Sequence, residues 1–208
     1  MHRTRVKICG LTRPDQARAA AALGADAIGL VFYPPSPRHL DWEQARQVAA
    51  AVAPFVTVVG LFVNAEPATV REALREVPQL QLLQFHGEED EAYCRAFGRP
   101  YIKAARVRPE LDLIEYALSF PTAQGLVLDA FVEGYGGGGQ TFDWSLIPAR
   151  LPLPIILSGG LDPQNVAQAV RALRPWAVDV SSGVEAAKGI KDERKMAAFI
   201  AGVRDGES

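Results

Sequence analysis

The chain has little cysteine, little histidine and no excess of either charge. Two cysteines, Cys9 and Cys94, stand in 208 residues. They are too few for a disulfide framework and read as free thiols of a reducing compartment. The three histidines, His2, His39 and His86, show no metal-ligand spacing, and no Cys/His cluster accompanies them. Lys and Arg number 22 against 24 Asp and Glu, a formal charge of −2, so nothing favours a nucleic-acid partner. Long apolar runs are also missing. The longest uncharged stretch, 47–65, is interrupted by Pro54, Thr57, Gly60 and Asn64, so no membrane span is expected. The N-terminal residues Met1 to Arg5 are basic but are not followed by the apolar core of a secretory leader. The tail, 205–208, carries no lipidation signal. A cytoplasmic protein is the expectation. No linker or shift of composition divides the chain, and its one low-complexity tract is the glycine run 136–139.

What is present is a globular composition, with 49% apolar and 22% charged residues, enough to bury a sizeable core. Short, near-continuous apolar runs fall at 6–9, 27–32, 56–63, 80–85, 101–104, 125–129, 154–158 and 177–181. Runs of this kind suit parallel strands buried on both faces. Between them lie Ala- and Arg-rich stretches of helical character at 14–23, 42–52, 67–76, 89–97, 111–118, 144–149, 163–173 and 192–203. Thr12, Asp41, Glu66 and Asp162 precede helical stretches, and Pro14, Pro67 and Pro163 stand at or near a first helical position. Gly24 and Gly98 suit left-handed helix ends. The stretch 144–149 is the weakest of these units. Eight strand–helix units of about 26 residues predict an α/β fold, a (β/α)8 TIM barrel, as a single domain over 1–208. An open doubly wound sheet also accommodates eight strands.

In a barrel, chemistry belongs at the C-terminal ends of strands. Two reactive groups stand there, Cys9 and Asp129. Alternation puts Lys7 and Cys9 on one side of their strand, and a nearby cation lowers a thiol pKa from its ordinary ~8.5. Cys9 is therefore a candidate base or nucleophile, or else a small buried apolar residue. Alternation also points Val127 and Asp129 one way and Leu126 and Leu128 the other. If the leucines face the helices, Asp129 faces the barrel mouth. It is then a candidate general acid, with a loop cap or ion pair as the other reading. Two glycine turns follow the last two strands: Gly159 and Gly160 in one, Ser182 and Gly183 in the other. In barrels this is a common phosphate site, though ordinary turn chemistry also uses such residues. The run 134–141 matches a phosphate-loop pattern without its lysine, so ATP or GTP binding is not expected and a lid is the better reading. Arg38 follows three prolines, and its guanidinium suits a substrate carboxylate or phosphate, or simply the surface. His86 reads as a hydrogen-bonded strand-end residue and not as a ligand.

These residues together resemble the phosphoribosylanthranilate isomerases, the (β/α)8 enzymes of tryptophan biosynthesis. The likeness spans nearly the whole chain: KICG at 7–10, GLVFYPPSPR at 29–38, VGLFVN at 59–64, QFHG at 84–87, YGGGGQTFDW at 135–144, LSGGLDPQNV at 157–166, DVSSGVE at 179–185 and GIKD at 189–192. It departs at Gly138, where the lid usually carries threonine, and at Lys188, where proline is frequent. The resemblance implies an Amadori rearrangement of N-(5-phosphoribosyl)anthranilate to 1-(2-carboxyphenylamino)-1-deoxyribulose 5-phosphate, with no metal and no cofactor. It implies Cys9 as general base and Asp129 as general acid. It also implies Arg38 on the anthranilate carboxylate, and Gly159, Gly160, Ser182 and Gly183 on the phosphate. The expected partner is a small phosphorylated substrate, with no nucleic acid and no membrane, acting in a monomer or homodimer. Two other classes remain. A metal-dependent sugar-phosphate epimerase needs His and Asp ligands at strand ends, which the sequence lacks, and the histidine-pathway isomerase needs two strand-end carboxylates. A non-enzymatic barrel that only binds a phosphorylated ligand would not need Cys9 and Asp129.

Overall fold

Eight of the apolar runs become eight parallel strands, because each can bury both of its faces. The computed structural model describes residues 3–130 and 142–208. The strands are β1 (Arg5–Cys9), β2 (Ala27–Val31), β3 (Thr57–Phe62), β4 (Leu82–Phe85), β5 (Tyr101–Val107), β6 (Leu126–Ala130), β7 (Ile155–Leu157) and β8 (Ala177–Val180). Each pairs in parallel with the next, and β8 pairs with β1 to close a barrel. The open sheet is therefore excluded, and the fold is a single (β/α)8 barrel. Alternation divides the apolar residues as the sequence predicts. Val127 packs inside with Ile102, Ala104, Ile156 and Ala177, a cluster built from strand residues. Leu126 and Leu128 point outward, against Leu113 and Ala117 of a helix.

Seven α-helices are present among the described residues: α1 (Pro14–Leu23), α2 (Trp42–Ala50), α3 (Pro67–Glu76), α4 (Glu91–Cys94), α5 (Leu113–Leu118), α6 (Val166–Leu173) and α7 (Glu193–Glu207). Asp41 caps α2 through a full capping box with Gln44. Gly24 and Gly98 take left-handed conformations at helix ends. None of the seven is long and apolar enough to cross a membrane.

Four local expectations are corrected. Thr12 does not cap α1; its hydroxyl donates to the carbonyl of Gly189 at 2.6 Å, tying the first loop to the last. The helix expected from residue 89 begins at Glu91, because Glu89 turns inward and accepts from the backbone N–H groups of Asn64 and Gly87. The helix expected at 163–173 begins at Val166, because Asp162 takes the N–H groups of Gln164 and Asn165 in a local turn. The stretch 144–149 yields only a 3-10 turn, Trp144–Leu146. Pro148, Pro152 and Pro154 follow within ten residues and each removes an N–H that a helix needs. The sequence also gave no warning of an antiparallel hairpin after β8, formed by β9 (Glu185–Ala187) and β10 (Ile190–Lys191).

Candidate active site

A cavity opens at the C-terminal end of the barrel, with about 720 Å³ of empty space, part of it open to solvent. Cys9 from β1 and Asp129 from β6 both line it, and so do Arg38, Gly159, Gly160 and Ser182. Gly183 stands behind the wall, its Cα facing the carbonyl oxygen of Leu161 so closely that a Cβ would overlap it. The glycine run 136–139, read from the sequence as a lid, lies outside the described residues.

Cys9 stands next to Gly29 of β2 in register, and the sulfur fills the space that a side chain there would occupy. Beneath it, Lys7 and Asp179 are register partners on β1 and β8. Their side chains form an ion pair of 2.9 Å that is almost wholly buried. The Lys7 ammonium also acts electrostatically on the neighbouring Cys9 thiol. Burial pushes the Cys9 thiol up, and Lys7 and Lys191 pull against it without reversing the shift, while Asp179 adds to it. Burial disfavours the Lys7 ammonium, yet Asp179 and Cys9 together hold its pKa above the ordinary lysine value. The second cysteine, Cys94, is fully buried away from the cavity. Burial pushes its thiol up to about 12, which leaves it inert at neutral pH.

Asp129 is partly open to the cavity. Its Oδ1 accepts the N–H of Ala130 at 3.0 Å, and its Oδ2 lies 3.0 Å from Nε2 of His86. Gly159 makes this corner possible. Its φ is 76°, and a Cβ there would strike the Ala130 nitrogen and come within 2.9 Å of Asp129 Oδ1. His86 is thus the hydrogen-bonded strand-end residue that the sequence suggests.

Arg38 is not an exposed arginine at a loop tip. It is 7% exposed, and Glu185 binds it bidentately, to Nε at 2.6 Å and Nη2 at 2.8 Å. Glu185 also accepts from Lys191 at 2.8 Å, and Lys191 donates in turn to the Ser181 carbonyl at 3.0 Å. Burial raises the pKa of Glu185, but Arg38 and Lys191 outweigh it and hold the carboxyl below the usual range. Burial leaves Lys191 below the ordinary lysine value despite the pull of Glu185. Asp179, Glu185 and Lys191 escaped the sequence reading as site residues. A signal existed only for Asp179, which stands two residues before the β8 turn on a strand expected to adjoin Lys7.

Lys103 stands near the end of the apolar run 101–104, but β5 continues to Val107. Its ammonium is fully buried on the Gly87 carbonyl at 2.6 Å and Glu89 at 3.2 Å, away from the cavity. Among the described residues no group of three or more His, Cys, Asp or Glu could hold a metal ion.

Comparison with known proteins adds the family. Residues 6–202 match the model of N-(5'phosphoribosyl)anthranilate (PRA) isomerase. The chain belongs to the phosphoribosylanthranilate isomerase family. It is 62% identical over 202 residues to the N-(5'-phosphoribosyl)anthranilate isomerase of Dechloromonas aromatica, covering 97% of each chain. It is 42% identical to a phosphoribosylanthranilate isomerase solved with reduced 1-(o-carboxyphenylamino)-1-deoxyribulose 5-phosphate, at TM-score 0.84, covering 97% of this chain and 98% of that one. Generated monomers of the dimeric isomerase of Thermotoga maritima match at 40% identity, TM-score 0.84 and the same coverage. The family assignment matches the expectation from the sequence blocks, and the cavity lies where a barrel isomerase carries its site.

Proposed function

We propose that this chain isomerises N-(5-phosphoribosyl)anthranilate to 1-(2-carboxyphenylamino)-1-deoxyribulose 5-phosphate, a step of tryptophan biosynthesis, with Asp129 as acid and Cys9 as base. One observation carries this reading: a thiol from β1 and a carboxyl from β6 open onto one cavity, beside the glycine turns that follow β7 and β8. Membership of the isomerase family supports it, as does the ligand named for the solved relative.

The chemistry proceeds by two proton transfers. Asp129 protonates the furanose ring oxygen, the bond from C1′ to that oxygen breaks, and the nitrogen lone pair forms a protonated Schiff base. The iminium withdraws electrons from C2′ and makes its proton acidic. Cys9 as thiolate removes that proton and leaves an enolamine, which tautomerises to the ketone. Each transfer supplies ~10²–10⁴-fold. The cationic intermediate favours the thiolate that burial disfavours, so more of the base is in its reactive form when it is needed.

The phosphate belongs at the turns of Gly159, Gly160, Ser182 and Gly183, where backbone N–H groups bind an anion without further charge. Asn165 fixes one of these turns by donating to the Gly160 carbonyl at 2.8 Å. The anthranilate carboxylate belongs at the Nη1 side of Arg38, since Glu185 occupies the Nε and Nη2 edge.

For the assembly we infer a homodimer. Phe55, in the loop between α2 and β3, is wholly exposed, and its backbone is left-handed at φ 72°. An exposed aromatic ring at an uncommon φ suits a surface that a second copy covers. The Thermotoga maritima relative is named as dimeric.

The direct test follows the fluorescence of phosphoribosylanthranilate mixed with purified protein. The signal should decay, and EDTA should leave the rate unchanged. A signal that persists would remove the isomerase reading, and a rate that collapses with EDTA would favour a metal-dependent epimerase.

A further inference from the structure

An acid must hold its proton until the substrate needs it, and the surroundings of Asp129 determine whether it can. Across β5 from Asp129 stand two polar side chains, Gln84 in β4 and His86 just after it. Nε2 of His86 lies 3.0 Å from Oδ2 of Asp129, and Nδ1 lies 3.1 Å from the amide nitrogen of Gln84. All three side chains line the cavity. Gln84 is fully buried, and its Oε1 has no hydrogen-bond partner among the described residues. A buried acceptor without a partner is costly and calls for an explanation.

The donor and acceptor rules allow two arrangements of this trio. With the amide nitrogen toward His86, Nδ1 accepts, Nε2 carries the ring proton and donates it to Oδ2, and Asp129 is a carboxylate. A half-turn of the amide brings Oε1 to the same place. Nδ1 then carries the ring proton and donates it to Oε1, and Nε2 faces Oδ2 with room for one further proton between them. That proton rests on Asp129 beside a neutral ring, or on Nε2 as an imidazolium beside a carboxylate. The half-turn thus gives Oε1 a partner in His86, moves the amide nitrogen to the place Oε1 held, and holds one proton more than the other arrangement.

We propose that Gln84 and His86 are positioning residues for the acid: the turned amide of Gln84 lets His86 and Asp129 share one proton, and this shared proton is the one delivered to the substrate. The proposal rests on Asp129 being the acid. The balance is simple. The proton passes from Asp129 to the ring oxygen, the C1′–oxygen pair becomes the lone pair of the new hydroxyl, and Asp129 is left as carboxylate. The ring keeps its proton on Nδ1 and its bond to Oε1, so the turned amide holds the site ready for the next proton. One proton from solvent returns the trio to the acid form.

A purely structural role for His86 would be met by any hydrogen-bond donor, and that distinguishes the two readings. His86→Gln keeps a donor beside Asp129 but no group that can share a proton. Single-turnover rates should fall at least tenfold, on the order expected for impaired acid catalysis, while KM stays within about threefold. Gln84→Leu removes Oε1 and leaves His86 and Asp129 in place, and it should lower the same rate with KM again preserved. An H86Q protein turning over at the wild-type rate overturns the proposal. If H86Q does not fold, Q84L settles the matter, and its wild-type rate overturns the proposal equally. Asp129→Asn separates the layers. An inactive D129N beside a full-rate H86Q removes the shared proton and keeps the acid, whereas an active D129N removes the acid itself.

Discussion

Cys9 must act as a base where burial disfavours its charged form. Lys7 offsets part of that cost, and it can do so because Asp179 holds it charged in the barrel interior. The sign of the pH dependence follows. The reactive species is the thiolate and its pKa lies above the ordinary value, so the limb of the kcat/KM–pH profile set by Cys9 lies beyond ~8.5, where a free thiol titrates. Lys7→Met removes the cation. The limb of the pH–rate profile set by Cys9 should then move further alkaline, with a loss of rate at neutral pH. The same change leaves Asp179 buried without its partner, and chemical denaturation should show a loss of ~3–5 kcal/mol. An unchanged profile in a folded K7M protein would show that Cys9 does not depend on this cation. Alternation along β1 made the Lys7–Cys9 pairing legible in the sequence. The partner of Lys7 was legible only through the expected closure of the barrel, which brings Asp179 near across 172 residues of chain.

At the scale of elements, the strands followed their apolar runs closely, and errors gathered where a side chain competes with the backbone. Glu89 and Asp162 are helix-compatible residues, yet each spends its carboxylate on nearby N–H groups and delays the helix start. The failed helix after Trp144 was readable from its prolines. The hairpin β9–β10 was not readable, since two short strands of mixed polarity carry no periodic signal. That hairpin matters because it carries Glu185 to Arg38. Glu185→Gln would leave Arg38 and Lys191 buried without a counter-charge, so the thermal midpoint should drop and KM should rise several-fold with a smaller change in kcat. The folded-state pKa of Glu185 is lowered, so the wild-type pair contributes fully above the ordinary carboxyl range of ~4.3 and loses its contribution as pH falls through the lower folded value. The acid limb of a stability–pH curve should flatten in E185Q. Equal limbs in both proteins would place the acid sensitivity elsewhere.

At the scale of the molecule, the barrel converts distance along the chain into proximity. Cys9 and Asp129 come from the first and sixth strands and share one cavity. A second consequence concerns assembly. Light scattering should give twice the chain mass for the wild type, and Phe55→Glu should shift it toward the monomer with turnover kept, because the loop lies between α2 and β3, at the barrel end opposite the cavity. A wild type that scatters as a monomer contradicts the dimer. The central claim is the pairing of a thiol base with a carboxyl acid, and single-turnover kinetics of Cys9→Ser and Asp129→Asn test it most directly. The account predicts a loss of ~10²–10⁴-fold in each variant with substrate still bound. Either variant turning over at the wild-type rate would contradict it.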